Sequence, residues 1–298
     1  MALPLSCDRR AYGDRRITAQ PYPERTAILV APAKAANDDS SLPFISVAGH
    51  TLEYFRIEPT GDPRTTLVLL HAGLGSVSAW QDFPAALCRQ TGCGGLVYSR
   101  LGHGNSEGIR EPLTVRFMHD EAQIVLPALL SALQIRSPIL IGHSDGASIA
   151  LIYAGTAADR PHALILEAPH VFVEDVTIES ILRTRSRFVS GDLRNRLEAH
   201  HGANVDTLFE AWTGIWLSPE FRSWNIEEYL AGIESPTLVI QGLQDEYGTS
   251  KQVEAVVGAV AGPSESLMLA DCRHAPHVDQ RAAVESAMAW FVTSASHL

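Results

Sequence analysis

Residues Ser137–Ile149 read SPILIGHSDGASI. The apolar run Ile139-Leu140-Ile141 stops at Gly142-His143-Ser144-Asp145-Gly146, and a helix-competent run follows from Ala147. This is G-x-S-x-G between a strand and a helix. The turn it implies is so sharp that its central residue is forced into a strained backbone conformation, and flanking glycines leave room for strand and helix to approach. Ser144 is thereby lifted clear of the sheet, at the positive end of a helix. An ordinary glycine-bounded turn would not need these flanks.

The surrounding chain alternates in the same way. Phe44–Val47 and Leu52–Ile57 read as a hairpin turning at Gly49-His50. Thr65–His71, Gly94–Ser99, Ala163–Ala168, Thr237–Gln241 and Ser266–Ala270 read as buried strands. Helices are expected over Ala79–Cys88, over Val115–Leu133 with Pro127 inside it, and from Val278 to Val292. Strands alternating with helices imply a mostly parallel, doubly wound α/β sheet. The rhythm breaks between about 170 and 233, where Phe209, Trp212, Trp216, Phe221 and Trp224 stud a polar, helix-like stretch. The expected organisation is an N-terminal extension over 1–41, a core over 42–169 and 234–298, and a helical insertion over 170–233.

The chain has 298 residues, 46% of them hydrophobic, and a formal net charge of -11. That length and apolar share can bury a large core without metals or staples. The acidic balance argues against nucleic acid or an anionic membrane as partner, since both want clustered Lys and Arg. No apolar run approaches a membrane span, and no secretory leader is read at the start. Cys7, Cys88, Cys93 and Cys272 show no metal-ligand pattern and are expected as free thiols in a reducing cytosol. No cofactor and no metal are expected; a homodimer is left open.

A serine hydroxyl is a poor nucleophile near neutral pH and needs a base, itself oriented by a carboxylate. In a doubly wound sheet such groups gather at the carboxyl ends of strands. Asp245 lies just past Thr237–Gln241, with Glu246 as its rival. His274 and His277 follow the last strand. His274 is nearer the strand end and is preferred, while His277 is assigned to packing or capping of the final helix. For acyl transfer, two backbone N–H groups must face the developing oxyanion. Asp145 supplies one. Gly73 in the glycine-rich loop His71–Ser76 supplies the other, with Leu74 next, and His71 braces that loop. The loop Gly102-His103-Gly104-Asn105-Ser106 lacks the spacing and lysine of a phosphate loop and reads as structural. Leu74, Trp212 and Trp216 are candidates for substrate contact, although indoles four apart more often form helix core.

With these residues in place, the chain resembles the α/β-hydrolase superfamily. The carriers are His71-Ala72-Gly73-Leu74-Gly75, Gly102–Ser106, Gly142–Gly146, Asp245 and His274, covering about Phe44 to the C-terminus. The resemblance implies an α/β-hydrolase fold with Ser144 as nucleophile, Asp245 as acid, His274 as base, Gly73 and Asp145 as oxyanion donors, and the insertion as a lid. The chain departs from the pattern at Ala72, at Ala147 and at Ser99, where many members carry Gly, Gly and Asp. The implied activity is hydrolysis of a small-molecule carboxylic ester with an apolar or aromatic part. The alternatives are carbon–carbon cleavage of a ring-fission diketone, and a non-catalytic receptor that uses the pocket for binding.

Overall fold

The computed structural model describes residues 42–61 and 65–295. The expected extension over 1–41, with Cys7, lies outside them. Eight strands form one sheet: β1 (Phe44–Val47), β2 (His50–Ile57), β3 (Thr66–Leu70), β4 (Gly94–Tyr98), β5 (Ile139–His143), β6 (Ala163–Glu167), β7 (Thr237–Gly242) and β8 (Ser264–Leu269). Their order is β1-β2-β4-β3-β5-β6-β7-β8; the pairs β1·β2 and β2·β4 are antiparallel and all the others are parallel. The chain leaves β3 for β4 on one side and returns for β5 on the other. The carboxyl ends of β3 and β5 are therefore the switch point, where open α/β sheets hold ligands.

The helices are α1 (Phe83–Thr91), α2 (Phe117–Asp120), α3 (Leu126–Ala132), α4 (Asp145–Thr156), α5 (Asp175–Val189), α6 (Asp192–His201), α7 (Val205–Trp216), α8 (Ser250–Ala259), α9 (Pro276–Asp279) and α10 (Arg281–Ala295). The pleat divides the strand side chains between two cores. Leu67, Leu69, Ile139, Ile141 and Ile165 join Phe83 and Leu87 of α1 and Met288 and Phe291 of α10 on one face. Val68, Leu70, Leu140, Leu164 and Leu166 join Leu126, Leu129 and Ile149 on the other. The sheet is buried on both faces, which is why its central strands read as unbroken apolar runs. Cys88 and Cys272 are buried free thiols, and Cys93 is buried.

Several boundaries differ from the sequence reading. The hairpin turns at Ala48-Gly49, not Gly49-His50, because Val47 pairs with His50 and the two residues between both take positive φ (51° and 82°). That is the handedness a two-residue hairpin needs. The expected helix at Ala79 is split into a 3-10 turn over Ser78–Trp80 and α1, with Gln81 between them at φ 53°. The helix carrying Pro127 contains a π turn at Glu121–Val125, immediately before the α3 turn that holds the proline. A proline has no N–H for the turn before it and its ring crowds the carbonyl four residues back, and the widened turn accommodates both. Between β6 and β7 lie α5, α6 and α7 with three 3-10 turns, over Gly202–Asn204, Glu220–Ser223 and Glu227–Gly232. Among the described residues no helix is long and apolar enough to cross a membrane.

Candidate active site

Ser144 stands between β5 and α4 at φ 54° and ψ −118°, the strained elbow the sequence called for. Its N–H donates to the Glu167 carbonyl at the end of β6 (2.9 Å). The elbow closes because Gly146 has no side chain: a Cβ there would lie 2.0 Å from the Leu70 carbonyl oxygen. That oxygen belongs to β3 and cannot swing aside. Gly146→Ala is therefore expected to cost about 3 kcal/mol or more, the upper range for overpacking, and to lower the urea midpoint of unfolding accordingly.

Gly242 plays the same steric part at the end of β7. A Cβ there would lie 2.1 Å from the Cys272 carbonyl and 2.3 Å from that of Arg273. Its absence lets the loop after β8 cross over the end of β7, which brings His274 to Asp245. The Ser144 Oγ–H donates to His274 Nε2 at 2.9 Å, and His274 Nδ1–H donates to the Asp245 carboxylate at 2.9 and 3.0 Å. Asp245 Oδ1 is fixed in turn by the N–H groups of Tyr247 (2.8 Å) and Gly248 (3.3 Å). Burial pulls the His274 imidazole toward neutrality, but the carboxylates of Asp245, Glu246 and Asp145 outweigh it and raise its pKa. Burial likewise opposes the charge on Asp245, yet the His274 charge and hydrogen bond win and its pKa is lowered. Such a chain can pass a hydroxyl proton to the imidazole while the carboxylate stabilises the resulting cation.

The structure separates the rival residues. Glu246 turns away to pair with Arg273 (2.9 Å). His277 is the second residue of α9, is buried, and donates from Nδ1 to Glu167 Oε2 at 2.5 Å. It does pack, as expected, but against β6 rather than as a helix cap.

The loop after β3 is held by Arg100 and His201, which the sequence reading did not single out, and by His103 of the loop read as structural. The Arg100 guanidinium donates to the carbonyls of His71 and Ala72, and the Arg100 N–H donates to His71 Nε2 (3.1 Å), leaving the His71 Nδ1–H for the Ala72 carbonyl (2.7 Å). His103 Nε2 lies 2.9 Å from the Gly73 carbonyl, and His201 of α6 donates from Nε2 to the Leu74 carbonyl (3.1 Å). With these carbonyls engaged on one side, the N–H groups of Gly73 and Leu74 are left for the other. Asp145 opens α4, where the first N–H groups have no intrahelical partner. Ser99 is not an aspartate, but its Oγ–H donates to Glu53 Oε2 (2.8 Å) from neighbouring β2. The same carboxylate receives the Asn105 N–H (3.1 Å) and Nδ2 (2.5 Å). The anchor of the Gly102–Ser106 loop has thus moved one strand over.

A cavity of about 130 Å³ opens at Ser144. Its walls include Gly73, Leu74, Asp145, Trp212, Trp216, Tyr247 and His274, and Asp245 stands behind His274, outside the wall. The cavity also reaches His170, which the sequence gave no reason to single out. Burial and the His274 charge push His170 down to about 4, so it is neutral at ordinary pH. The Trp212 Nε1–H donates to Asp145 Oδ2 at 3.2 Å. Burial raises the pKa of the Asp145 carboxyl, although the Arg100 charge resists the shift. Trp212→Phe keeps most of the packing and removes this donor. It is expected to cost about 1–3 kcal/mol, the penalty for leaving a buried acceptor unpaired, measured by thermal unfolding.

A family model described as alpha/beta hydrolase fold matches residues 65–213, half of the chain. This chain belongs to the α/β-hydrolase family. Among solved structures, the hydrolase is similar to an enol-lactonase from Burkholderia xenovorans, at 22% identity and TM-score 0.67, over 84% of this chain and 100% of that one. It is also similar to an esterase from Exiguobacterium antarcticum, at 19% identity and TM-score 0.67, over 85% and 100%. A meta-cleavage product hydrolase from Pseudomonas fluorescens shares 16% identity at TM-score 0.69, over 85% and 98%. Identities this low establish the fold these hydrolases share. No curated protein matches the chain.

Proposed function

We propose that the protein is a serine hydrolase acting through an acyl-enzyme on a small carboxylic ester with an apolar or aromatic part. The observation that carries this reading is the unbroken relay from Ser144 Oγ through His274 to Asp245, at 2.9 Å per link. Ser144 Oγ attacks the carbonyl carbon as its proton passes to His274 Nε2. The carbonyl π electrons move onto oxygen, and that oxyanion is held by the N–H groups of Gly73 and Asp145. The tetrahedral centre collapses, the C–O bond to the alcohol breaks, and the leaving oxygen takes the proton from His274. Water then attacks the acyl-enzyme by the same sequence and frees the acid.

Leu74, Ile181, Trp212, Trp216 and Tyr247 make the cavity mostly apolar and aromatic, which supports the choice of substrate. The helices over 170–233 supply Thr177, Ile181, Trp212 and Trp216 to that wall, in keeping with a lid. Buried free thiols suit work in the cytosol.

A fluorophosphonate should add its mass to the peptide bearing Ser144 on the folded protein. A panel of esters, lactones, amides and a ring-fission diketone should show turnover of apolar or aromatic esters, absent in Ser144→Ala. Labelling elsewhere, or turnover of the diketone alone, rejects the ester reading. Tight binding of such esters with no turnover makes the protein a receptor.

A further inference from the structure

Three buried side chains outside the proposed relay converge beneath it. His143 ends β5, Glu167 ends β6 and His277 lies in α9. One ligating atom from each falls within 4.8 Å of the other two. Glu167 is 0% exposed, and among the described residues its salt-bridge partner is His277, with no Lys or Arg. Its Oε2 accepts from His277, while its Oε1 has no hydrogen-bond partner among the described residues. A carboxylate oxygen so deeply buried and so bare is costly unless a positive centre faces it. His143 is already oriented, since its Nε2–H donates to the His274 carbonyl at 2.7 Å. Metal-bound imidazoles are commonly held by such an outer bond to a backbone carbonyl. Finally, the two imidazoles border a cavity of about 210 Å³, walled also by His71, Leu74 and Trp80. An ion and its water have a way in.

Two imidazoles and one carboxylate, with an open side, form a donor set for a borderline transition metal. Calcium and magnesium favour all-oxygen shells. We propose that His143, Glu167 and His277 bind one divalent transition-metal ion of the zinc type, with water from the adjoining cavity in the fourth position. The ion takes the place of the Nδ1 proton that His277 donates to Glu167, and a neutral imidazole then carries its proton on Nε2. Around a tetrahedral ion with bonds near 2.1 Å the ligating atoms stand about 3.4 Å apart, so the His277–Glu167 contact, now 2.5 Å, must open to admit the ion while all three atoms already lie within 4.8 Å of one another. The three residues lie at positions 143, 167 and 277, so no local spacing betrays the site. The proposal does not depend on the ester chemistry at Ser144.

The test uses the full-length protein, stripped of metal and titrated with zinc chloride by calorimetry and with cobalt chloride by visible absorption. Expected are one Zn²⁺ per chain and a Co²⁺ ligand-field band. Glu167→Gln and His277→Gln should each abolish the band and the strong binding event. His274→Gln should keep both, which separates this site from the imidazole–carboxylate pair of the relay. Should the variants unfold, a zinc-soaked crystal of the wild type must show an anomalous peak between the three side chains. The absence of that peak, a wild type that binds no zinc, or Glu167→Gln and His277→Gln variants that bind it as well as the wild type, would overturn the proposal.

Discussion

Ser144→Ala is expected to lower kcat/KM for the best ester by about 10⁴- to 10⁶-fold, the range seen when a serine nucleophile is removed from such a relay. The loss should fall on kcat. The rest of the cavity wall is untouched, and the lost hydroxyl makes its contact with His274. Alanine suffers the same positive φ as serine, so unfolding midpoints should stay close to wild type. Steady-state kinetics beside a urea melt check both statements. A variant that retains a tenth of the activity would remove Ser144 from the bond-making step.

Asp245→Asn should come next in size, at about 10⁴-fold in kcat, because the amide favours the wrong imidazole tautomer while keeping the shape of the site. The asparagine Oδ1 can still accept from Tyr247 and Gly248, so the loop should hold. This variant also tests the electrostatics. The base works only when neutral, so kcat/KM should fall as pH drops through the His274 pKa. That pKa is raised chiefly by Asp245 against burial, so the acid limb of the wild type should lie above the usual histidine value of about 6.5. In Asp245→Asn the limb should move to lower pH. The sign for stability follows from the same shifts. The raised imidazole stabilises the fold fully below its unfolded pKa and loses that contribution as pH rises through the folded one. The lowered carboxylate contributes above its unfolded pKa and loses it as pH falls through the folded one. The pair's ionic contribution thus fades on both sides of the interval between the two folded values. A pH profile whose acid limb is unchanged in the variant would contradict the assignment.

What could be read in advance was whatever local physics imposes on local sequence. The elbow announces itself because only Gly142 and Gly146 allow a serine at positive φ between strand and helix. The central strands announce themselves because burial on both faces demands apolar runs. Asp245 and His274 were reachable through topology, since each follows a strand and strand ends converge. The hairpin turn was misplaced by one residue because Ala48 adopts a left-handed conformation that its side chain gives no reason to expect. Pairing across the strands decides it. The split before α1 is of the same kind, resting on Gln81. His103 was read only as part of a structural loop, and Glu53, Arg100 and His201 escaped notice for another reason. Each acts on a loop distant in sequence, and a buried polar side chain looks like a surface residue until its partners are known. His143, Glu167 and His277 are hidden by the same logic.

The Glu53 contact changes what the first hairpin is for. A sheet edge made of two antiparallel strands looks dispensable, and a shortened protein starting after β2 would still carry the six remaining strands and every residue of the relay. It would have lost the carboxylate that seats Ser99 and Asn105, and with it the support beneath the neighbouring loop that carries His103. The border of the molecule is in this way a foundation for its centre, and trimming it should be felt first by the Gly73 amide, far from the cut.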